Sequence, residues 1–302
     1  MELIGKTNID FIGKRNISFV LSGIIAIIGI IGIIQIARGA ANMGIDFSGG
    51  TAVQLKFAQP IVLEQARDAL ARHNLKEANL QEIKEGNKLL IKVGKANIAV
   101  GKVTDAIEEV FKKELPGNSF VVESSTEIGP SIGDKLRKDT LVAIVISMIG
   151  IIIYIAWRFD FKFGVGATVA TLHDVLAMIA VFFVFNKEIN LLFITAVLTI
   201  AGYSLTDTVV VFDRIRENLH KDLKGAMHNI FNKSINEVLS RTIITSLTTF
   251  LASLSLLFLG GEVIHDFALA LVVGVAVGTY SSIFVASPIV ALWESRSGKV
   301  KA

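Results

Sequence analysis

Cysteine is absent from the 302 residues, which excludes disulfides, thiolate metal sites and a cysteine nucleophile without identifying a compartment. The phosphate-cradling pattern G-x-x-x-x-G-K-[ST] is also missing, so nucleotide bound by that route is not an energy source. H-E-x-x-H does not occur, and a single short G-x-S-x-G match, Gly129–Gly133, does not by itself support hydrolase chemistry. The expectation is a chain that is not an enzyme and holds no metal and no cofactor.

Charge is missing in a more telling way. Residues 16–37, 140–157, 242–261 and 267–293 are windows of 22, 18, 20 and 27 residues without a charged side chain. A hydrocarbon core about 30 Å thick takes about 20 apolar helical residues to cross. With 52% hydrophobic residues overall, the chain reads as a polytopic membrane protein. Its formal net charge of +3 then reflects basic loops, and no nucleic-acid partner is expected.

The first window exceeds the roughly 7–15 residues of a signal-peptide core, so it reads as an uncleaved span at 17–37 behind a cytoplasmic N-terminus, 1–16. Residues 38–139 have ordinary polarity. Their periodicities switch in order: an alternating run at 51–57, a helical one at 61–73, short runs at 80–85 and 88–93 around Gly86-Asn87, a second helical run at 98–115, and a last alternating run at 119–127. The order β-α-β-β-α-β is the ferredoxin-like one. Five further spans are expected at 140–157, 163–185, 189–212, 242–259 and 267–292, with a loop at 213–241 and a tail at 293–302. Fourteen basic residues fall on one set of segments and only Lys187 on the two short opposite loops. Both termini are therefore expected inside and the α+β domain outside. Trp157 and Trp293 fall at inner ends, where aromatic belts are expected.

Ionisable groups within a span cost about 2.5–3.5 kcal/mol each on insertion scales, so each needs an explanation. Asp207 lies in the fourth span and Arg241 opens the fifth; His173-Asp174 lies about 15 Å into the third. Burial favours a neutral carboxyl and a nearby cation an ionised one, and alternation between the two is what a proton relay needs. Tyr203, Thr206, Thr208, Thr245, Thr248 and Thr249 could hydrogen-bond or hold water there. A static Asp207–Arg241 ion pair joining two helices is the structural alternative. Asp174, His173 and Thr206 are further candidates for ion coupling, although His173 and Asp174, as neighbours in sequence, face different sides and make a weaker pair. Asp213, Arg214, Arg216 and Glu217 read as the interfacial end of the fourth helix, and Gly274 and Gly278 as a close-packing G-x-x-x-G.

Gly44-Ile45-Asp46-Phe47-Ser48-Gly49-Gly50-Thr51 resembles the signature of the SecD/SecF family of protein-export membrane proteins. So do Ile128-Gly129-Pro130-Ser131-Ile132-Gly133, the fourth-span segment from Gly202 to Asn218, Ser240-Arg241-Thr242, and Ser281-Ser282-Ile283-Phe284-Val285-Ala286. One short outer domain after the first of six spans is similar to the SecF branch. The resemblance implies a bundle like half of a resistance-nodulation-division (RND) transporter, in the cell's inner membrane, with ion coupling at Asp207 and Arg241. It implies use of a proton or sodium gradient with SecD beside the SecYEG channel, in company with SecA and YajC, to promote late export of polypeptide. The family often has Asn where this chain has Thr206, and the third member of its ion site is supplied by SecD. The alternatives are half of an exporter of small molecules or lipids, and a passive scaffold of the translocon.

Overall fold

The first apolar window forms what its composition demands, a continuous helix α1, Arg15–Ala37, extended at its start by a 3-10 turn, Ile12–Lys14. The computed structural model describes residues 5, 7–76, 78–83, 86–94, 102–222 and 225–296. Among these, six helical stretches are long and apolar enough to cross a membrane. After α1 they are α5 (Pro130–Arg158), α6 (Phe161–Val184), α7 (Leu191–Lys221), α8 (Met227–Leu259) and the stretch Val263–Ser295. The last comprises α9 (Glu262–Ser281), a π-helical segment (Ser282–Ala286) and α10 (Ser287–Arg296).

The chain divides into two units, Met1–Asn42 with Ala143–Ala302, and Met43–Val142. In the helical unit small residues set the approach of the helices. A Cβ on Gly29 would run into the Leu176 backbone, and one on Gly32 would meet Ile179 at 2.9 Å, so α1 lies directly on α6. Gly166 does the same for α6 against Val290 and the Ala286 carbonyl. The turn into α7 is capped by Asn190, whose side chain accepts from Phe193 N at 2.9 Å. Phe159, Phe163 and Phe212 close one end of the core, with edge-to-face contact of Phe163 on Phe212 at 5.0 Å. The guanidinium groups of Arg158 and Arg216 sit over the Phe159 ring at 5.0 and 5.3 Å and share Asp213 at 2.8 and 3.2 Å. Apolar side chains such as Ile146, Ile153, Leu251 and Leu259 point outward, as a lipid-facing surface requires.

Several helices outrun the charge-free windows. The helix of the second span begins at Pro130, ten residues before residue 140, with proline in its first turn and a polar stretch through Asp139. Residues 213–241, read as a loop, are largely the end of α7 and the start of α8. Hydropathy marks where a helix is apolar; these extensions hold together through ion pairs instead, Arg214 with Glu217 and Glu237, and Lys221 with Glu217. The last span is helical from Glu262 to Arg296, beyond both ends of 267–292.

The second unit is a four-stranded antiparallel sheet in the order β2-β3-β1-β4. Its elements run α2 (Ile45–Ser48), β1 (Gly50–Phe57), α3 (Leu63–Arg72), β2 (Asn79–Ile83), β3 (Lys88–Val93), α4 (Val103–Glu114) and β4 (Phe120–Ile128). From β1 onward this is β-α-β-β-α-β with ferredoxin-like strand order. Val53, Leu55 and Phe57 of β1 alternate inward and meet Leu89 and Ile91 of β3 and Ile107 and Phe111 of α4. Gly86 and Asn87, both at positive φ, precede β3 as a hairpin turn demands. The helical reading of 98–115 is seen from Val103; residues 98–101, and 84–85 of the run at 80–85, lie outside the described residues.

Glu114 at the end of α4 ties that helix to α3, bonding His73 at 3.2 Å and Arg72 at 2.8 Å. The His73 hydrogen bond, with Arg72 beside it, holds the Glu114 carboxyl below its ordinary value of 4.5. A lowered carboxyl stabilises the fold above its unfolded value and loses that contribution as pH falls through its folded one. Acidification from about pH 5 is therefore expected to loosen this unit, and Glu114→Gln to flatten that dependence. Amide hydrogen exchange of β1 against pH in the full chain measures both.

Candidate functional site

The glycine-rich octet and the Ile128–Gly133 motif, far apart in sequence, meet in the second unit. Gly44 enters α2, Ser48 Oγ donates back to the Gly44 carbonyl at 3.0 Å, and Gly49 turns with φ 71°. Gly50 follows at φ 140°, a conformation open only to glycine, with the Val93 carbonyl against its Cα. Gly133 lets the first turn of α5 lie on the Gly49 amide, where a Cβ would stand 3.0 Å away, and Pro130 packs on the Gly49 side. Asp46 sits in the first turn of α2, Phe47 is buried beneath it, and Thr51 is buried on β1. Gly129 lies immediately before α5, with its carbonyl accepting from Ile132 and Gly133. The motif thus packs the entry to β1 against the first turn of α5.

In the helical unit the polar side chains gather into one seam. Asp174 of α6 is fully buried, and its Oδ2 accepts from Ser204 Oγ of α7 at 2.5 Å and Ser281 Oγ of α9 at 2.9 Å. His173 Nδ1 stands 3.3 Å from Asp174 Oδ1, and its ring lies 6.0 Å from that of Tyr280. Both members of the His-Asp pair are buried, because α6 is packed by α1 on one side and by α7 and α9 on others. Tyr280 donates to the Ser18 carbonyl and lies 3.0 Å from Ser22 Oγ, so α1 joins the seam.

One helical turn along α7, Asp207 is buried as well, but differently. Thr242 and Arg241 of α8 are the groups that act on its carboxylate. Yet neither Asp207 Oδ2 nor Thr242 Oγ1 completes a hydrogen bond of good geometry. Among the described residues Arg241 makes no direct ion pair with Asp207, so the static pairing that would join α7 to α8 is not formed. Thr208 Oγ1, next to Asp207, bonds Ser282 Oγ at 2.9 Å. Thr206 points outward and bonds its own helix at the Gly202 carbonyl. His173 Nε2 and Tyr203 OH are also buried without a partner. Gly278 faces Ser204 and Gly274 faces Ile200, which brings α9 close enough to α7 for these bonds.

Around Arg241 the bundle presents an unusual surface. Thr195, Thr199, Gly202 and Thr206 on α7, and Arg241, Thr245, Thr248 and Ser255 on α8, are exposed at helical spacing. Their threonine and serine hydroxyls bond the carbonyls of their own helices. Reading residue types along the chain finds the acids and Arg241 but not the serines that complete the Asp174 site. Their signal in the sequence is a place inside the family-like segments Gly202–Asn218 and Ser281–Ala286, which assigns them no partner.

Six apolar helices around a buried carboxylate–hydroxyl seam, with a ferredoxin-like insert after the first, define a multi-pass membrane protein with intramembrane acids. Residues 107–296 match the family described as protein export membrane protein SecD/SecF, C-terminal, and residues 41–61 match the SecD/SecF GG motif. The chain is 55% identical to the protein translocase subunit SecF of Thermodesulfovibrio yellowstonii over 97% of both chains. It is 42% identical to that of Calditerrivibrio nitroreducens over 98% of this chain and 97% of the relative. The crystal structure of SecDF from Thermus thermophilus, described as a translocon-associated membrane protein, superposes with a TM-score of 0.84 at 36% identity, covering 96% of this chain. A further SecDF structure, in a super-membrane-facing form, gives 0.71 at 37% identity. The chain spans 39% and 40% of those two SecDF chains. It belongs to the SecD/SecF family of protein export membrane proteins, in its SecF branch, the SecF subunits of the protein translocase.

Replacing Gly50 by alanine forces a side chain into a glycine-only conformation and onto the Val93 carbonyl. Gly50→Ala is expected to destabilise the second unit by roughly 1–3 kcal/mol. Its unfolding midpoint in detergent should fall, while Gly117→Ala, which meets no neighbour, should leave it nearly unchanged.

Proposed function

We propose that the chain acts with SecD as an ion-gradient-driven helper of polypeptide export, without enzymatic chemistry and without a cofactor other than the coupling ion, a proton or sodium. The observation that carries this reading is Asp207: a buried intramembrane carboxylate with an unpartnered oxygen, held by α7 beside the Thr242 hydroxyl and near, but not paired with, Arg241. A structural carboxylate in this setting is expected to be fully bonded, as Asp174 is; one left open is available to take up and release a cation.

SecD is proposed as the partner on the face formed by Thr195, Thr199, Thr206, Arg241, Thr245 and Thr248. Hydroxyls and an arginine are poor neighbours for lipid and good ones for another helix bundle. The SecDF relatives, which unite both parts in one chain more than twice as long, support the pairing. The bias of basic residues supports termini in the cytoplasm and the ferredoxin-like unit outside, in the inner membrane. There that unit would handle the emerging polypeptide, while the bundle works beside SecYEG, SecA and YajC.

In this reading cation uptake at Asp207 changes the charge facing Arg241, and the helices carrying them move relative to each other. Vesicles containing SecYEG, SecA, SecD and the chain are expected to export more polypeptide when an ion gradient is imposed. Asp207→Asn should abolish that stimulation while SecD still co-purifies. Full stimulation in that variant would overturn the proposal.

A further inference from the structure

Asp174 is absent from the ion-coupling step just described, yet both of its oxygens have partners inside the helical unit. It is fully buried, and one of its oxygens gathers hydroxyls from two other helices, Ser204 of α7 and Ser281 of α9. Immediately after Ser281 the last span leaves α-helical winding for the π segment Ser282–Ala286. π-helical turns in membrane and soluble helices alike recur at functional sites, because an extra residue per turn frees backbone groups and can shift along the helix. Here Ser287 Oγ donates to the Ser282 carbonyl at 2.9 Å, a side-chain bond spanning five residues. Ser282 Oγ in turn bonds Thr208, the neighbour of Asp207.

Two adjacent residues of the last span are therefore tied to two different acids. Ser281 is held directly by Asp174, and Ser282 through Thr208 to the backbone that carries Asp207. Ser204 and Thr208 lie four residues apart on α7, so the two ties form successive rungs between α7 and α9, with Asp174 bracing the upper rung from α6. Of the ionisable groups, His173 on its own helix contacts Asp174, with the Tyr280 ring of α9 6.0 Å from that of His173, and among the described residues no lysine or arginine pairs with it.

We propose that Asp174 is a positioning residue that locks the π segment of the last span, so that movement of α7 at Asp207 is passed to the half of the span from Ser287 to Arg296. With the Asp174–Ser281 bond in place, displacement of Thr208 acts on Ser282 against a fixed point, and the extra turn must move or unwind. Without that bond α9 shifts with α7 as one body, and the motion at the ion site is not transmitted. The inference rests on the ion-coupling reading of Asp207, but it assigns a different task to a different carboxylate.

The test uses the chain co-reconstituted with SecD, SecYEG and SecA in vesicles, with ion flux and gradient-stimulated export measured on the same preparation. Since the sequence has no cysteine, Lys221→Cys and Ser295→Cys place a spin-label pair that reports the last half-span against α7. In the parent, the label distance is expected to change when a gradient is imposed. Asp174→Ala and Ser281→Ala should retain ion flux, lose the distance change and lose the export stimulation. Asp174→Asn, which keeps an acceptor oxygen for the serines, should recover part of both. Ser281→Ala decides the matter if Asp174→Ala fails to assemble, since it removes one hydroxyl and leaves the acid and its Ser204 bond. A gradient-dependent distance change that persists in Ser281→Ala would overturn the lock. Loss of ion flux in Asp174→Asn would overturn it too, by placing Asp174 in the ion path. Should Asp207→Asn keep full stimulation, the underlying reading of Asp207 fails instead, and the label distances still show whether Asp174 holds the segment.

Discussion

A polar group within hydrocarbon has no water to fall back on, and the helical unit is organised around that constraint. Hydroxyls on the outer surface bond back to their own helices, as Thr195, Thr199 and Thr245 do. In the interior Ser204 and Ser281 bond across helices and meet at Asp174, which ties α6, α7 and α9 together. Such bonds require close backbones, and the glycines provide them: Gly278 opposite Ser204, Gly166 opposite Ala286 and Val290, Gly29 and Gly32 opposite α6. Removing bulk and adding hydroxyls are two parts of one solution, since a serine reaches only as far as the helices are allowed to approach.

Against that background the open valences become informative. Tyr203 OH, His173 Nε2, Asp207 Oδ2 and Thr242 Oγ1 are buried and unpartnered in a unit that otherwise bonds its polar groups with care. All four belong to α6, α7 or α8, and two of them meet at Asp207 and Thr242. The exposed stripe around Arg241 lies on the same two helices, α7 and α8. A site left incomplete beside a polar surface left uncovered is consistent with one cause, a partner bundle that supplies the missing groups.

Much of this architecture could be read from the sequence because membrane spans and strands announce themselves by simple periods. The six apolar stretches, the β-α-β-β-α-β order and the acids within spans all follow from residue type and spacing. What could not be read has a common physical origin: it depends on which residues meet. The helical extensions of α7 and α8 are polar and stand through ion pairs such as Arg214–Glu237, invisible to hydropathy. The meeting of the octet at Gly49 with Pro130 and Gly133 joins positions some eighty residues apart. Asp174 reads from sequence as the lesser of the two acids because it and His173, as neighbours, face different sides of a helix; its partners, Ser204 and Ser281, lie on other helices, and serines are too common in spans to signal a role alone.

The two acids differ in the number of bonds they have already made, and that difference argues for a division of labour. An acid with both hydroxyl partners at short range gains little from taking up a cation, because uptake would have to break the bonds that hold three helices together. An acid with an unpartnered oxygen beside a threonine and within reach of a cationic side chain loses nothing on uptake, and its release is aided by the same charge. Placing both on one seam, with Asp207 one turn along α7 from Ser204, the partner of Asp174, puts a site that can change next to one that resists change. Motion requires such a pairing, since a helix pushed at one point moves another element only if something nearby stays where it is.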